Sequence, residues 1–313
     1  MRLDGKRVLV IRPGALGDAI LALPAVRALR QAVGAGGGVE WVGYGSVLRL
    51  AVNSLHATAW HSIDRGLFAG VFSECRRQEL MQSLAGFDVV VVWCRNPEET
   101  LASSLRGLGK TVVQSTPFPP PGVRVHASDH LLRSLAPLGI RTGPANPELA
   151  ISSSARRVAQ GVLRSAGLAD GAFLAIHPGS GSPRKNWPPE KFSELARLSR
   201  RAGFEVLLIQ GEADGAVVHE MKQRLPWAPP VADALDLMVL AALLSMVSVY
   251  VGNDSGVTHL AAAAGAPTVA LFGPTDPLVW GPRGRWVQIL RHSATPQQAW
   301  RLVQRGMRVR RVG

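Results

Sequence analysis

The chain has 313 residues, 47% of them hydrophobic, and a formal net charge of +13 at pH 7. Its length and apolar content favour a large core and two domains, while the basic surplus favours an anionic partner: nucleic acid, a membrane surface or an acidic substrate. The sequence has only two cysteines, far apart, so neither disulfides nor a cysteine zinc site is expected. It has no apolar run of the roughly 18 residues that cross a membrane, so neither a secretory signal nor a membrane span is expected.

The first predicted turn follows a short apolar strand that ends at Arg12. Its spacing, Gly14-x-x-Gly17, is not the dinucleotide fingerprint, and no P-loop lysine follows, so a nucleotide is expected to bind elsewhere in the chain. What the turn offers is a carboxylate, Asp18, at the carboxyl end of a strand and near a helix N-terminus, a position that faces the ligand crevice in open α/β sheets. A simple helix-capping role for Asp18 is the alternative.

Strands and helices are predicted to alternate through the rest of the N-terminal half. A helix over 19–30 is expected to carry Pro24 in its first turn. His126 and His130 are interpreted as a capped helix start rather than a metal pair, because no carboxylate accompanies them in a zinc motif. The strand candidates are 39–44, 58–63, 89–93 and 111–115. Helices are expected over 46–53, 71–84, 98–108 and 131–138, with a mobile segment at 66–70.

A glycine- and proline-rich link over 139–147 is expected to separate the two halves. Beyond it, a strand over 173–176 runs into the loop "HPGSGSPRKNWPPE", which combines small residues that expose their backbone N–H groups with an Arg-Lys pair before a helix. Such a loop can hold a diphosphate through amide donors and a cation, so we expect Lys185 to contact a ligand rather than only solvent. Trp187 is expected to anchor the loop by packing.

Two further strand ends carry polar residues. After a strand over 206–210, either Glu212 or Asp214 can accept ribose hydroxyls, and the spacing does not choose between them. A strand at 247–251, a helix at 256–264 and a strand at 268–272 are predicted to form a βαβ unit. Its first turn places Ser255 and His259 near a helix N-terminus, where unpaired amides attract a phosphate. An ordinary capped turn is the alternative.

Three stretches of the chain resemble one known family. "RPGALGDAILALPAVRALR", "HPGSGSPRKNWPPEKFSELA" and "VGNDSGVTHLAAAAGAPTVALFGPTDP" are similar, in the same order, to motifs of glycosyltransferase family 9, the ADP-heptose:lipopolysaccharide heptosyltransferases. The resemblance implies an α/β GT-B fold, with two facing Rossmann-like domains and a ligand cleft between them. It places an acceptor-binding domain in residues 1–145 and a nucleotide-sugar-binding domain in residues 146–313, with the C-terminal helix packing back on the first domain.

The resemblance also implies a reaction: inverting transfer of a heptose from ADP-heptose to an inner-core sugar of lipopolysaccharide, without a metal or another cofactor. It assigns Asp18 as the general base and Lys185 as the cation that stabilises the leaving diphosphate. Ser180 is expected to supply a hydroxyl upstream of the lysine, and Gly181 stands where family members can have a second hydroxyl. The donor is expected at Asp254, Ser255, Gly256 and His259, and the acceptor near Arg12 and Gly17.

The implied partners are an ADP-sugar donor and an anionic lipid-linked saccharide acceptor. The isolated cysteines favour a reducing cytoplasm, and the arginine-rich tail is expected to contact an anionic membrane leaflet through Arg301, Arg305, Arg308, Arg310 and Arg311. Nucleic acid is not an expected partner, because its recognition motifs are missing and the charge is scattered along the chain. Two alternatives stay open: a GT-B transferase for another nucleotide sugar, and a nucleotide-sugar-binding protein without catalysis.

Overall fold

The structure is a computed structural model that describes residues 2–63, 82, 84–94, 106–107, 109–168 and 173–312. The chain divides into two compact units, Met1–Ala150 and Ile151–Gly313, here called the N-terminal unit and the C-terminal unit. The predicted helices over 71–84 and 98–108 lie largely outside the described residues, and the predicted mobile segment 66–70 and Cys75 lie wholly outside them.

The N-terminal unit is built on a parallel sheet with the strand order β3-β2-β1-β4-β5. Its central strands are apolar along most of their length, a pattern typical of strands that are buried on both faces. The strands are β1 (Arg7–Ile11), β2 (Gly38–Gly43), β3 (Ala59–Ser62), β4 (Val89–Trp93) and β5 (Thr111–Ser115). The helices described in this unit include α1 (Leu16–Ala32), α2 (Gly45–Asn53) and α3 (Ala127–Ser134).

The C-terminal unit contains a second parallel sheet, with the order β11-β10-β9-β6-β7-β8. Its strands are β6 (Phe173–His177), β7 (Glu205–Gln210), β8 (Val231–Asp233), β9 (Val249–Asn253), β10 (Thr268–Phe272) and β11 (Val287–Arg291). The helices are α4 (Ser153–Ser165), α5 (Pro189–Arg201), α6 (Gly215–Gln223), α7 (Leu237–Leu244), α8 (Gly256–Ala263), α9 (Pro277–Trp280) and α10 (Pro296–Val312).

Most predicted elements are confirmed where the structure describes them. Strands β4, β5 and β10 have the predicted bounds, and the predicted βαβ unit is β9-α8-β10, with β9 and β10 paired in parallel. The side chain of His126 caps α3 by accepting a hydrogen bond from the backbone N–H of Ser128, as the capping interpretation requires. Strands β8 and β11 were not predicted, because β8 has only three residues and no residue of β11 is fully buried.

The first helix differs from its prediction. It begins at Leu16, so Pro24 lies in the helix interior and not in its first turn. The prediction was wrong because Gly17 and Asp18 already belong to the first helical turn, although they resemble a loop in sequence. Pro24 has no N–H to donate to the carbonyl of the preceding turn, and the helix nevertheless continues across it, with Pro24 buried.

The C-terminal tail forms the regular helix α10. Its apolar residues Ala299, Val303 and Met307 join the core of the C-terminal unit. The predicted packing of this helix on the first domain stays a prediction, and the side chains of Arg310 and Arg311 lie outside the described part of the chain. None of the helices in the described residues is both long and apolar enough to cross a bilayer.

Each sheet reverses its strand order at one point. The reversal lies between β1 and β4 in the N-terminal unit and between β6 and β9 in the C-terminal unit. Open parallel sheets bind ligands at the carboxyl ends of the strands that flank such a reversal. The segments that directly follow β1, β6 and β9 contain Asp18, Lys185 and Ser255, respectively. The topology therefore places the main predicted site residues at the carboxyl edges of the two sheets, where proteins with this class of sheet bind their ligands.

Candidate active site

A cavity of about 380 Å³ opens at the carboxyl end of the N-terminal sheet. Asp18 lines it from the first turn of α1. Burial raises the pKa of the Cys94 thiol to about 11, so this side chain is a neutral part of the wall. The other lining residues are mainly apolar or aromatic: Pro13, Gly14, Tyr44, Trp93, Pro117 and Phe118. A single carboxylate on an apolar and aromatic wall is a composition typical of small-molecule sites.

Asp18 combines helix capping with access to this cavity. Its Oδ2 accepts a hydrogen bond from the backbone N–H of Ala15 at 3.1 Å, so the capping role is present. Gly14 makes room for the carboxylate, because a Cβ at that position would lie 2.8 Å from Asp18 Cβ. Gly17 lies in the same helical turn and has no side chain, so an acceptor contact there would involve its backbone. Capping and a place in the cavity do not exclude each other.

Arg12 supports the wall of the cavity from inside the unit. It is 2% exposed, and its guanidinium donates to the carbonyl oxygen of Asp18 at 3.2 and 3.3 Å and to that of Pro117 at 3.2 Å. It also lies 5.4 Å from the centre of the Phe118 ring. Burial lowers the pKa of Arg12 to about 10, which still leaves a cation at neutral pH. This geometry does not favour the predicted contact of Arg12 with an acceptor, which stays a prediction.

In the C-terminal unit, Lys185 and Asp254 form an ion pair between two loops. Lys185 ends the short 3-10 turn Pro183–Lys185, and its Nζ lies 2.8 Å from Asp254 Oδ2. The carboxylate is buried, and Thr275 Oγ1 donates to the same oxygen at 2.7 Å. A third of the Lys185 side chain is exposed. The structure therefore brings together two residues that were predicted to share a ligand, with the cation bordering solvent.

A buried asparagine, whose role the sequence analysis missed, fixes the loop after β6. Asn253 is the last residue of β9; its Oδ1 accepts from the backbone N–H of Trp187 at 2.8 Å, and its Nδ2 donates to the carbonyl of Pro178 at 2.7 Å. Ser180 Oγ donates to Asn186 Oδ1 at 2.6 Å. Trp187 is fully buried, which confirms its predicted anchoring role. A polar residue at the end of an apolar strand is the signal that marks Asn253 in the sequence.

The turn after β9 presents a helix N-terminus to solvent. Ser255 caps α8 by accepting from the backbone N–H of Thr258 at 3.4 Å, and Gly256 is the first helical residue. Both Ser255 and Gly256 are partly exposed. The first amides of a helix have no partner within the helix and favour negative charge. His259 lies on the same helix but is buried, so its predicted contact with the donor is less favoured and stays a prediction.

The two carboxylates after β7 point in different directions. Asp214 is 6% exposed, and its Oδ2 accepts from His177 Nε2 at 2.8 Å and from the backbone N–H of Gly211 at 2.9 Å. Burial by itself raises the pKa of Asp214, but the hydrogen bonds from His177 and Gly211 hold it below its usual value. Glu212 is exposed. Of the two candidates, Glu212 is therefore the better placed for a ribose.

Gly179 lies against this buried carboxylate, and we expect its replacement by alanine to destabilise the fold. A Cβ at position 179 would lie 1.8 Å from Asp214 Oδ1, whereas one at Gly181 would meet no atom within 4 Å. Gly179→Ala must displace Asp214, which is expected to lower the free energy of unfolding by about 1–3 kcal/mol. Urea unfolding measures this loss, with Gly181→Ala as the matched control. Equal midpoints for the two variants would contradict the position described for Asp214.

The chain is similar in sequence to a known family of proteins. The sequence profile of glycosyltransferase family 9 (heptosyltransferase) matches residues 121–305, more than half of the chain. The matched region contains Lys185, Asp254 and Ser255 but not Asp18. Among curated proteins, lipooligosaccharide heptosyltransferase 2 of Haemophilus influenzae is 31% identical over 130 residues. That alignment covers 40% of this chain and only 38% of the relative.

Solved structures resemble nearly the whole chain. A glycosyl transferase family 9 protein from Veillonella parvula has a TM-score of 0.84 at 23% identity, with 99% of each chain covered. The ADP-heptose lps heptosyltransferase II of E. coli has a TM-score of 0.77 at 19% identity, with 97% of this chain and 99% of that chain covered. At these identities the likeness concerns the fold, and it confirms the predicted α/β GT-B class.

Proposed function

The chain belongs to glycosyltransferase family 9, the heptosyltransferase family, and we propose that it is an enzyme that transfers a heptose from ADP-heptose to an inner-core sugar of lipopolysaccharide. The observation that carries the proposal is the contact of Lys185 with Asp254 beside the amide-rich turn at Ser255. The names of the E. coli and Haemophilus relatives support the donor and the acceptor class.

In this proposal the C-terminal unit holds the donor. Lys185 and the amides of Ser255 and Gly256 stabilise the negative charge that develops on the departing ADP. Glu212, which is exposed after β7, accepts the ribose hydroxyls. Asp254 is an ionised acceptor, so it suits the hydroxyls of the sugar rather than the phosphates. The loop and the turn are already ordered by Asn253 and by the α8 cap. Lys185 and the two amides therefore need little rearrangement when negative charge develops on ADP. The proposed mechanism requires no metal.

Asp18 of the N-terminal unit supplies the base. A neutral hydroxyl is a poor nucleophile, so the carboxylate takes the proton from the acceptor hydroxyl as its oxygen attacks the anomeric carbon. The bond from that carbon to ADP breaks on the opposite face through an oxocarbenium-like transition state, which inverts the configuration. The proton is then on Asp18, and the electron pair of the broken bond is on ADP.

The aromatic wall of the Asp18 cavity is proposed to contact the acceptor sugar. Tyr44 is 48% exposed and lines this cavity. Tyr44→Ala is expected to raise the acceptor KM by roughly 2–12-fold, equivalent to about 0.5–1.5 kcal/mol, with ADP affinity unchanged. Steady-state kinetics on a truncated lipopolysaccharide measures this, and Tyr44→Phe, which keeps the ring, is the control. An acceptor KM equal to that of the wild type would remove Tyr44 from the site.

Helix α10 is proposed to bring the enzyme to the inner, anionic face of the cytoplasmic membrane. Arg301, Arg305 and Arg308 are exposed, while Ala299 and Val303 are buried in the core. Each arginine near such a surface adds about 1 kcal/mol, so replacing all three by glutamine should weaken vesicle binding by roughly 10²-fold. Cosedimentation with vesicles of anionic or neutral lipid tests this. Equal partitioning of the wild type into both vesicle types would reject membrane steering.

The proposed function as a whole is tested by binding and then by product analysis. Calorimetry with a set of nucleotide sugars should give ADP-heptose the tightest binding, and the loaded enzyme should then extend a truncated lipopolysaccharide by one heptose. Tighter binding of another nucleotide sugar would favour the alternative GT-B transferase. Tight binding of ADP-heptose without turnover on any core acceptor would favour the binding protein.

A further inference from the structure

His177 connects two loops of the candidate donor site, although no sequence motif assigned it a role. It is the last residue of β6 and is 2% exposed. Its Nε2 lies 2.8 Å from Asp214 Oδ2, and its Nδ1 lies 3.3 Å from Ser255 Oγ. These residues lie at the carboxyl ends of β7, β6 and β9, which are neighbours in the sheet. A carboxylate–imidazole–hydroxyl chain therefore reaches Ser255, the residue that caps α8, whose Oγ also lies 3.2 Å from Thr258 Oγ1.

The position of Asp214 fixes the state of the imidazole. An ionised carboxylate only accepts hydrogen bonds, so Asp214 keeps a proton on Nε2 of His177. The carboxylate is held by the backbone N–H of Gly211 and packs on the backbone of Gly179, where no Cβ would fit. Nδ1 is thus the nitrogen that faces Ser255. A bare Nδ1 accepts the hydroxyl proton of Ser255, whereas a protonated Nδ1 donates to Oγ and leaves the hydroxyl proton to point elsewhere.

We propose that His177 is a positioning residue that turns the Ser255 hydroxyl from an internal donor into a donor to the sugar-nucleotide diphosphate. The inference rests on the proposed function, because it takes a diphosphate as the ligand at the α8 N-terminus. The diphosphate brings negative charge to this turn and so favours a proton on His177. The resulting imidazolium lies between Asp214 and Ser255, and the Ser255 O–H donates to a phosphate oxygen. Binding of the diphosphate therefore takes up a proton.

Two neighbours of this hydrogen-bonded chain, Tyr250 and the Lys185–Asp254 pair, keep their charge state. The hydroxyl of Tyr250, from β9, is hydrogen-bonded to Thr258 Oγ1 at 3.0 Å, and burial raises its pKa, so it stays neutral. The Lys185–Asp254 pair in the adjoining turn already combines one cation with one anion. Asp214 is stabilised as a carboxylate by its hydrogen bonds.

Calorimetry of ADP binding to the full chain, in buffers of different ionisation enthalpy near pH 8, measures the proton uptake. We expect the wild type to take up more protons than His177→Gln, whose amide still donates to Asp214 but cannot gain a proton in this range. Asp214→Asn, which is nearly isosteric, should show the same loss. Equal uptake in the wild type and both variants would overturn the inference. A wild type that does not bind ADP would instead overturn the proposed function, and this inference with it.

A double-mutant cycle tests whether His177 acts through Ser255. Ser255→Ala should weaken ADP binding by roughly ten- to hundredfold, the loss expected for one hydrogen bond to a charged group. His177→Gln should cause a smaller loss, because the Ser255 hydroxyl is still present but is no longer oriented by a donor on Nδ1. In the Ser255→Ala background it should cause no further loss, because there is no hydroxyl left to orient. Fully additive losses would mean that His177 supports only the fold, which contradicts the proposal.

Discussion

Replacement of Asp18 by asparagine is expected to lower kcat by about 10²–10⁴-fold, the contribution typical of a positioned general base. The affinity for ADP should not change, because the groups proposed to hold the nucleotide all belong to the C-terminal unit. Initial rates on a truncated lipopolysaccharide acceptor give the first quantity, and calorimetry with ADP gives the second. An unchanged affinity for ADP together with a lost turnover is the result expected for a residue that acts only on the reacting proton.

The asparagine variant separates proton transfer from the structural roles of Asp18. An asparagine oxygen can still accept from the backbone N–H of Ala15, and the bond from Arg12 to the Asp18 carbonyl is untouched by the change. Asp18→Ala also loses the cap, which costs about 0.5–2 kcal/mol of stability. Thermal unfolding should therefore distinguish Asp18→Ala from Asp18→Asn, while both lose activity. Unchanged turnover in Asp18→Asn would remove this carboxylate from the base role.

Local patterns predicted which groups form the candidate site, because each group stands where an apolar strand gives way to a polar turn. Lys185 was found from the exposed amides and paired cations of its loop, and Ser255 from its position as a helix cap. That Lys185 contacts Asp254 does not follow from spacing. It depends on β6 and β9, distant in the chain, being neighbours in the sheet. Only the family resemblance assigned the two residues to one ligand before the topology was known.

The direction in which a side chain points is what the sequence could not supply. Arg12 and Asp214 both lie near strand ends and resemble ligand groups, yet both are turned inward. The cause in each case is a partner far away in the chain: the carbonyl of Pro117 for Arg12 and the imidazole of His177 for Asp214. The loop contacts of Asn253 are tertiary in the same sense. A local pattern identifies a polar residue at a strand end, but packing decides whether it faces the ligand or the core.

Removal of the Lys185 ammonium is expected to lower kcat/KM for ADP-heptose by about 10²–10³-fold, comparable to the loss of one preorganised donor at an oxyanion site. Two causes act together. The developing charge on ADP loses a cation, and Asp254, a buried carboxylate, keeps only the hydroxyl of Thr275 as a described side-chain partner. An uncompensated carboxylate beside the diphosphate repels it. The affinity of Lys185→Ala for ADP should therefore fall together with its rate.

A second substitution separates these two causes. In Lys185→Met the apolar stem is kept, and adding Asp254→Asn removes the uncompensated charge. The double variant should recover part of the lost ADP affinity and thermal stability, because position 254 no longer holds a buried carboxylate without a cation. It should not recover the rate, because nothing replaces the ammonium as charge develops on the leaving group. Kinetics of Lys185→Ala equal to those of the wild type would place this lysine in solvent, and the contact that carries the proposed function would then have no role in catalysis.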